Sequence, residues 1–297
     1  VTLTLLLPVF LLAGLGALLA RLGWLRPGWH AGVTELTAKF LIPALLLGST
    51  YRTGIPSSLS WKVLGAFYLP LAALFVAARY LARRRSGGAA TALAATYSNT
   101  VFVGIPVLIH ALGSASVQFA YPVIAFHSLV SFSLYHLTDE RGGTGWAAPL
   151  LSTLTNPIVA SILLGLALNL GGAVLPHAIV DVLDILGRAT LPCALLALGA
   201  SLASLQLRRW TEACAVVLAK LVLLPLAVMV LAVSAFDLPH AAAAVLVVLA
   251  SCPVGINAAF VVKASGGDGE LVDSSILLSS LACAATIPAW LWILRTS

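Results

Sequence analysis

The sequence is poor in charge. Only 9% of its 297 residues are Asp, Glu, Lys or Arg, while 61% are hydrophobic. Soluble domains carry about 25% charged residues, so a chain of this composition cannot cover a water-facing surface. Acids are the scarcest. All ten lie in loops or near the ends of apolar runs, so a proton relay through a carboxylate buried at mid-membrane is hard to draw. Cysteine is scarce too. Cys193, Cys214, Cys252 and Cys283 stand in apolar runs without a CxxC or a paired His. They read as small buried apolar residues rather than metal ligands or disulfides. The sequence has no phosphate-binding loop and no metal-ligand cluster, so no cofactor or metal is expected. An enzyme is not expected either. His127 with Ser128 or Ser131 is the best nucleophile and base on offer, and no acid orients it. The first twenty residues lack a basic leader and a small-x-small cleavage signal, and they read as a first span.

What the chain has in quantity is long apolar runs, with 24 Gly and 15 Pro, a mixture suited to membrane helices. A crossing takes roughly 20 residues, so the chain holds about ten crossings and no sizeable soluble domain. Charged and Gly/Pro-rich punctuation predicts spans at about 3–21, 31–51, 61–82, 89–111, 115–137, 152–171, 177–204, 211–235, 240–263 and 271–294. The net charge of +6 is no nucleic-acid signature here, and no nucleic-acid partner is expected. Its placement gives orientation. With both termini outside, the cytoplasmic loops hold Arg21, Arg26, Arg79, Arg83, Arg84, Arg85, Arg141, Arg208, Arg209 and Lys263. The outer segments hold Arg52, Lys62 and Arg295. The run Arg83-Arg84-Arg85 reads as a topology anchor at the lipid surface.

A shift of 149 residues lays the chain on itself. Pro8 falls on Pro157, Gly16 on Gly165, Gly23 on Gly172, Pro27 on Pro176, Pro43 on Pro192 and Trp61 on Trp210. The same shift aligns an acid-x3-base-x3-Pro pattern, Glu35-Lys39-Pro43 on Asp184-Arg188-Pro192. Leu matches by chance in such a sequence, but Pro, Trp and charge do not. Each copy holds five spans, and an odd number inverts the second copy. The predicted fold is an all-α integral membrane protein of ten transmembrane helices. Residues 1–137 form the first five-helix repeat, 138–148 a short central cytoplasmic loop and 149–297 the second, inverted repeat. Inverted repeats are characteristic of secondary transporters. Glu35 with Lys39, and Asp184 with Arg188, are spaced as helical ion pairs, either structural or gating.

Spans 4 and 9 are interrupted at corresponding places. One carries Asn99, Gly104 and Pro106, the other Pro253, Gly255 and Asn257. Proline removes an N–H and frees a carbonyl, and glycine permits an unwound chain. The second half of span 4 is predicted to begin near Pro106, a residue suited to a first helical position. Its N–H groups favour negative charge, and the amides of Asn99 and Asn257 donate. A small carboxylate anion fits this chemistry. Two more residues are candidates for charge balance or coupling. Lys220 would balance the substrate, take the place of a bound cation, or simply snorkel or bond backbone carbonyls, and His127 would titrate near neutrality or serve as a structural histidine. The open alternatives are a ten-span exporter of neutral metabolites or drugs and a transporter-like membrane sensor.

SNTVFVGIPVL, NPIVASILLGLALNL, ILGRATLPCALLALGASL and LASCPVGINAAFVV resemble the signatures of the auxin efflux carrier family, the bacterial relatives of plant PIN-type carriers. The likeness runs through the whole chain. The central loop is short, unlike the long hydrophilic loop of many plant members. The resemblance implies ten helices with spans 4 and 9 crossing at their breaks. It also implies a scaffold part that dimerises, giving a homodimer in the bacterial plasma membrane, and a transport part that moves as an elevator. Asn99, Pro106 and Pro253 match the family's substrate site, and Asn257 follows the second break. Family substrates include indole acetate and small carboxylates such as malonate or malate. The resemblance leaves the coupling ion, H⁺ or Na⁺ if any, undetermined.

Overall fold

A computed structural model describes residues 2–24, 28–53, 60–82, 87–139, 151, 155–203, 205–267 and 269–296. The central loop beyond Asp139 lies outside the described residues, as do Arg26, Arg83, Arg84, Arg85 and Arg141. The chain is all-helical. Among the described residues the one extended pairing is an isolated antiparallel bridge between Ser98 and Val254.

In the first half, α1 (Thr2–Leu22) is followed by Gly23 at φ 65°. Next come α2 (Trp29–Leu36) and α3 (Ile42–Thr53), which a π-helical turn at Thr37–Leu41 joins into one rod. Then follow α4 (Ser60–Ala82), α5 (Gly88–Thr96), α6 (Ile105–Leu112) and α7 (Tyr121–Thr138). The second half holds α8 (Pro157–Leu170), α9 (His177–Ala203), α10 (Trp210–Leu218), α11 (Leu224–Val230), α12 (His240–Ser251), α13 (Asn257–Ala264) and α14 (Glu270–Thr296). These helices, singly or joined end to end, fall on the apolar stretches marked by the sequence. Among the described residues, five continuous rods are long and apolar enough to cross a membrane: Trp29–Arg52, Trp61–Ala82, His177–Ala203, Trp210–Ala235 and Glu270–Arg295. Shorter apolar helices span Leu7–Leu22, Thr100–Leu112, Pro157–Leu170 and His240–Ser251.

Three π turns, Thr37–Leu41, Thr100–Gly104 and Ala219–Leu223, each end two residues before a proline: Pro43, Pro106 and Pro225. Proline offers no N–H to the helix, and its ring crowds the carbonyl four residues back. A locally widened turn lets the chain pass that carbonyl without ending the rod.

Packing follows the repeat offset. α1 lies along α9, and α3 lies along α8. A methyl group added to Gly16 would overlap the backbone of Leu196, and one added to Gly165 would overlap the backbone of Leu47. A shift of 149 exchanges these two contacts. Two further sets of contacts correspond in the same way, α4 with α5 and α11 with α12, and α4 with α7 and α10 with α14. Every residue of α5 except Thr91 is buried, as is α12 from Ala242 to Ser251. Both are rich in alanine and apolar all round, as a helix enclosed by others must be.

The cysteines depart from expectation. Cys252 and Cys283 are buried, but Cys193 is half-buried and Cys214 is exposed. An apolar face turned outward on a membrane helix tolerates a cysteine as readily as the interior does.

Candidate substrate site at a helix crossover

α5 stops at Thr96 and α12 at Ser251, and the chain leaves each in an extended conformation, at Tyr97 and Cys252. The two extended segments then bind each other. The Asn99 N–H donates to the Pro253 carbonyl at 2.8 Å, and the Gly255 N–H donates to the Tyr97 carbonyl at 3.1 Å. The middle residue of each break is held by the last helix of its own half. The Ser98 N–H donates to His127 Nε2 on α7 at 2.9 Å, and the Val254 N–H donates to Ser279 Oγ on α14 at 3.0 Å. Four backbone donors that the breaks would leave orphaned are thereby satisfied, as buried main chain requires.

The helix after the first break restarts earlier than the sequence suggests. It begins at Thr100, not near Pro106, because Asn99 caps it: Asn99 Oδ1 accepts the Phe102 N–H at 3.1 Å. Pro106 sits in the first turn of α6, beyond the π turn. Gly104 is α-helical rather than unwound, with φ −61° and ψ −52°. Its missing side chain serves close packing instead, since a methyl there would lie 2.9 Å from Leu249 Cδ2. Gly255 likewise makes room for the Tyr97 ring, which a methyl would meet at 2.7 Å or less.

A cavity of about 200 Å³ opens on this crossover, lined by Lys39, Tyr97, Asn99, Thr100, His127, Ser128, Asn156, Gly255 and Asn257 among others. Asn99 is 6% exposed. Its Oδ1 is used by the cap, and its Nδ2 has no hydrogen-bond partner. His127 accepts a backbone N–H at Nε2, so a neutral ring carries its proton on Nδ1, and that atom too is unpartnered. The His127 ring stacks on Tyr97, with centroids 4.8 Å apart and planes 9° apart, and Phe67 meets it edge-on at 5.7 Å. The Tyr97 hydroxyl is 3.1 Å from Ser128 Oγ. The cavity thus has uncommitted donors at its wall, set among aromatic, amide, hydroxyl and aliphatic side chains and Lys39.

The sequence profile of the family described as "Membrane transport protein", the auxin efflux carriers, matches residues 147–291. The second half of the chain is thus similar to this family. A protein of Rhizobium meliloti (strain 1021) described as "Putative malonate transporter" is 29% identical over 310 residues, covering 98% of this chain and 95% of that one. Both likenesses are to membrane transport proteins, and the long apolar helices are those of an integral membrane protein.

The residues singled out from sequence divide into three groups. Asn99, His127, Gly255, Asn257 and Lys39 border the cavity. Gly104, Pro106 and Pro253 shape the breaks from behind. Lys220 is fully buried and donates from Nζ to the carbonyls of Ala250 at 2.5 Å and Cys252 at 2.8 Å. The charged residues proposed as gates sit further out. Glu35 and Lys39 pair at 2.6 Å, both well exposed, in a vestibule of about 440 Å³ that shares Lys39 and Asn257 with the cavity. Asp184 and Arg188 line a separate cavity of about 710 Å³. Asp184 bonds Arg52, not Arg188: both Arg52 terminal nitrogens reach its carboxylate, Nη1 to Oδ2 at 3.1 Å and Nη2 to Oδ1. A two-point guanidinium fork presented across helices outcompetes a solvated neighbour at i+4.

Tyr97, Asn156 and Ser279 were not singled out from the sequence, and Ser128 only as a candidate nucleophile that lacked an orienting acid. Asn156 carries a signal, since Asn before Pro marks a helix start, and its side chain caps α8 by accepting the Ile158 N–H at 2.9 Å. Tyr97 and Ser279 carry none, because tertiary packing alone brings them to the breaks.

Proposed function

We propose that the protein is a secondary active transporter that moves a small organic anion, a mono- or dicarboxylate of the malonate, malate or auxin class, by alternating access around the crossover. The observation that carries this reading is the unpartnered amide of Asn99, buried beside a cavity at the point where two broken helices bind each other. A buried donor without a partner is costly, and a carboxylate would satisfy it. Drug-sized pockets run to about 300–1,000 Å³, so a cavity of about 200 Å³ suits a smaller solute. The description of the Rhizobium relative agrees in substrate class.

The architecture we propose is ten spans in two inverted five-helix repeats, 1–137 and 149–297, with both termini outside the bacterial plasma membrane. The exchange of the Gly16–Leu196 and Gly165–Leu47 contacts under one offset supports it. α1, α2, α3, α8 and α9, which pack on one another, would form the scaffold of a homodimer. The remaining helices would carry the crossover as an elevator. Asn99 and Asn257 would bind the anion, with Gly104, Pro106, Pro253 and Gly255 shaping the site. The Glu35–Lys39 pair, Asp184 and Arg188 would guard the vestibules.

The test is uptake of radiolabelled malonate by proteoliposomes under imposed pH and Na⁺ gradients, beside a screen of mono- and dicarboxylates by thermal shift, since a bound ligand stabilises by mass action. Binding and flux that are lost in Asn99→Ala support the reading. Undiminished transport by Asn99→Ala would sink the site.

A further inference from the structure

We propose that Lys220 is a tethered cation: its ammonium fills a carbonyl cage at the second break that would otherwise take a free monovalent cation. α12 ends at Ser251, so the carbonyls of its last turn have no helical partners. They also form the negative end of that helix. Lys220 Nζ donates to two carbonyls there, Ala250 at 2.5 Å and Cys252 at 2.8 Å, and the residue has no exposed surface. Among the described residues no carboxylate bonds it. In transporters with discontinuous helices, freed carbonyls and half-helix C-termini of this kind coordinate Na⁺. Here a side chain brings the same charge to the same kind of oxygen.

The lysine is built into place. It lies in the π turn Ala219–Leu223, whose Leu221 carbonyl is capped by Trp290 Nε1 at 2.8 Å. The other half has no counterpart. The 149 offset puts Leu71, apolar and fully buried, opposite Lys220. The cation thus belongs to one break of two. Lys220 does not line the substrate cavity, so it is a positioning residue. It fixes Cys252, the next residue is Pro253, and the Pro253 carbonyl holds the Asn99 N–H. The consequence for transport rests on the crossover's being the solute site, as proposed above.

The experiment compares wild type, Lys220→Ala and Lys220→Met in choline, Na⁺ and methylammonium buffers, by melting temperature without solute and by malonate uptake. Wild type is expected to melt and transport alike in choline and Na⁺. Lys220→Ala opens the cage. It is expected to lose at least 10-fold in uptake in choline, and to regain melting temperature and uptake with Na⁺ or methylammonium. Lys220→Met fills the space without charge and gains nothing from either ion. If Lys220→Ala folds only when purified with one of those cations, the proposal stands. The proposal fails if wild type is stabilised by Na⁺ over choline, if Lys220→Ala works normally in choline, or if neither cation restores it. The melting comparison needs no solute, so it decides this point even if wild-type malonate uptake is absent and the transport reading falls.

Discussion

The Thr190 hydroxyl donates to the Leu41 carbonyl at 2.9 Å, and the two residues stand 149 positions apart. That separation is the offset at which the sequence matches itself. A residue touches its own repeat mate only close to the axis relating the copies, so α3 and α9 meet where the proposed two-fold axis would pass. The same relation makes the Gly16 and Gly165 contacts equivalent, and it leads to a paired expectation.

Gly16→Val and Gly165→Val should destabilise the protein to a similar degree. Each pushes a side chain into main chain, Leu196 in one case and Leu47 in the other. Overpacking of this kind costs about 1–3 kcal/mol or more. Thermal melting in detergent measures both. A large loss for one with none for the other would contradict their equivalence.

Asn99→Ala should cost about 10–100-fold in anion affinity while leaving folding nearly intact. Its Nδ2 bonds nothing in the protein, and a hydrogen bond to a charged group is worth about 1.5–3 kcal/mol. Its Oδ1 cap of the Phe102 N–H is lost too, which adds about 1 kcal/mol to the folding cost. Ligand-induced thermal shifts read the first effect, and melting without ligand reads the second.

His127→Leu and Ser279→Ala should each cost about 1–3 kcal/mol of stability, because each strands one buried backbone N–H, that of Ser98 or of Val254. Amide hydrogen exchange at those two residues should accelerate in the matching variant only. Equal protection in both variants would show that another group takes over the bond.

Arg52→Gln should barely move the melting temperature. The Arg52 and Asp184 side chains are 45% and 37% exposed, and pairs this open contribute under about 1 kcal/mol. A change in transport rate without a change in melting would assign the pair to the transport cycle. A fall of many degrees would mean that it holds α3 to α9.

Much of this was legible in the sequence, and for physical reasons. Composition selected the membrane, Pro and Gly marked the two breaks, and the 149 offset reads directly from Pro, Trp and charge. Helix ends fell close to expectation because apolar runs and their punctuation are local. The misplaced restart at Pro106 has a simple cause: proline looks like a first-turn residue, but Asn99 had already capped the helix and a π turn carried the chain past the ring. Asp184 was paired with Arg188 because helical spacing is visible in sequence, whereas the reach of Arg52 from another helix is not. Tyr97 against Gly255 and Ser279 against Val254 are likewise contacts between distant segments.

The bonds that tie the two breaks together run from Asn99 N–H to the Pro253 carbonyl and from Gly255 N–H to the Tyr97 carbonyl. Both ends of both bonds are main chain. Replacement of the side chain at 97, 99 or 253 therefore leaves the knot's own donors and acceptors in place, and an alanine scan would disturb it only at Gly255, where a methyl meets the Tyr97 ring. The perturbation that reaches it is chemical: an ester in place of the amide at residue 99 or 255 deletes that donor, while weakening the carbonyl of the residue before it as an acceptor. The knot itself thus makes no demand for an asparagine at 99; that demand comes from the cap on Phe102 and from the unpartnered Nδ2 beside the cavity.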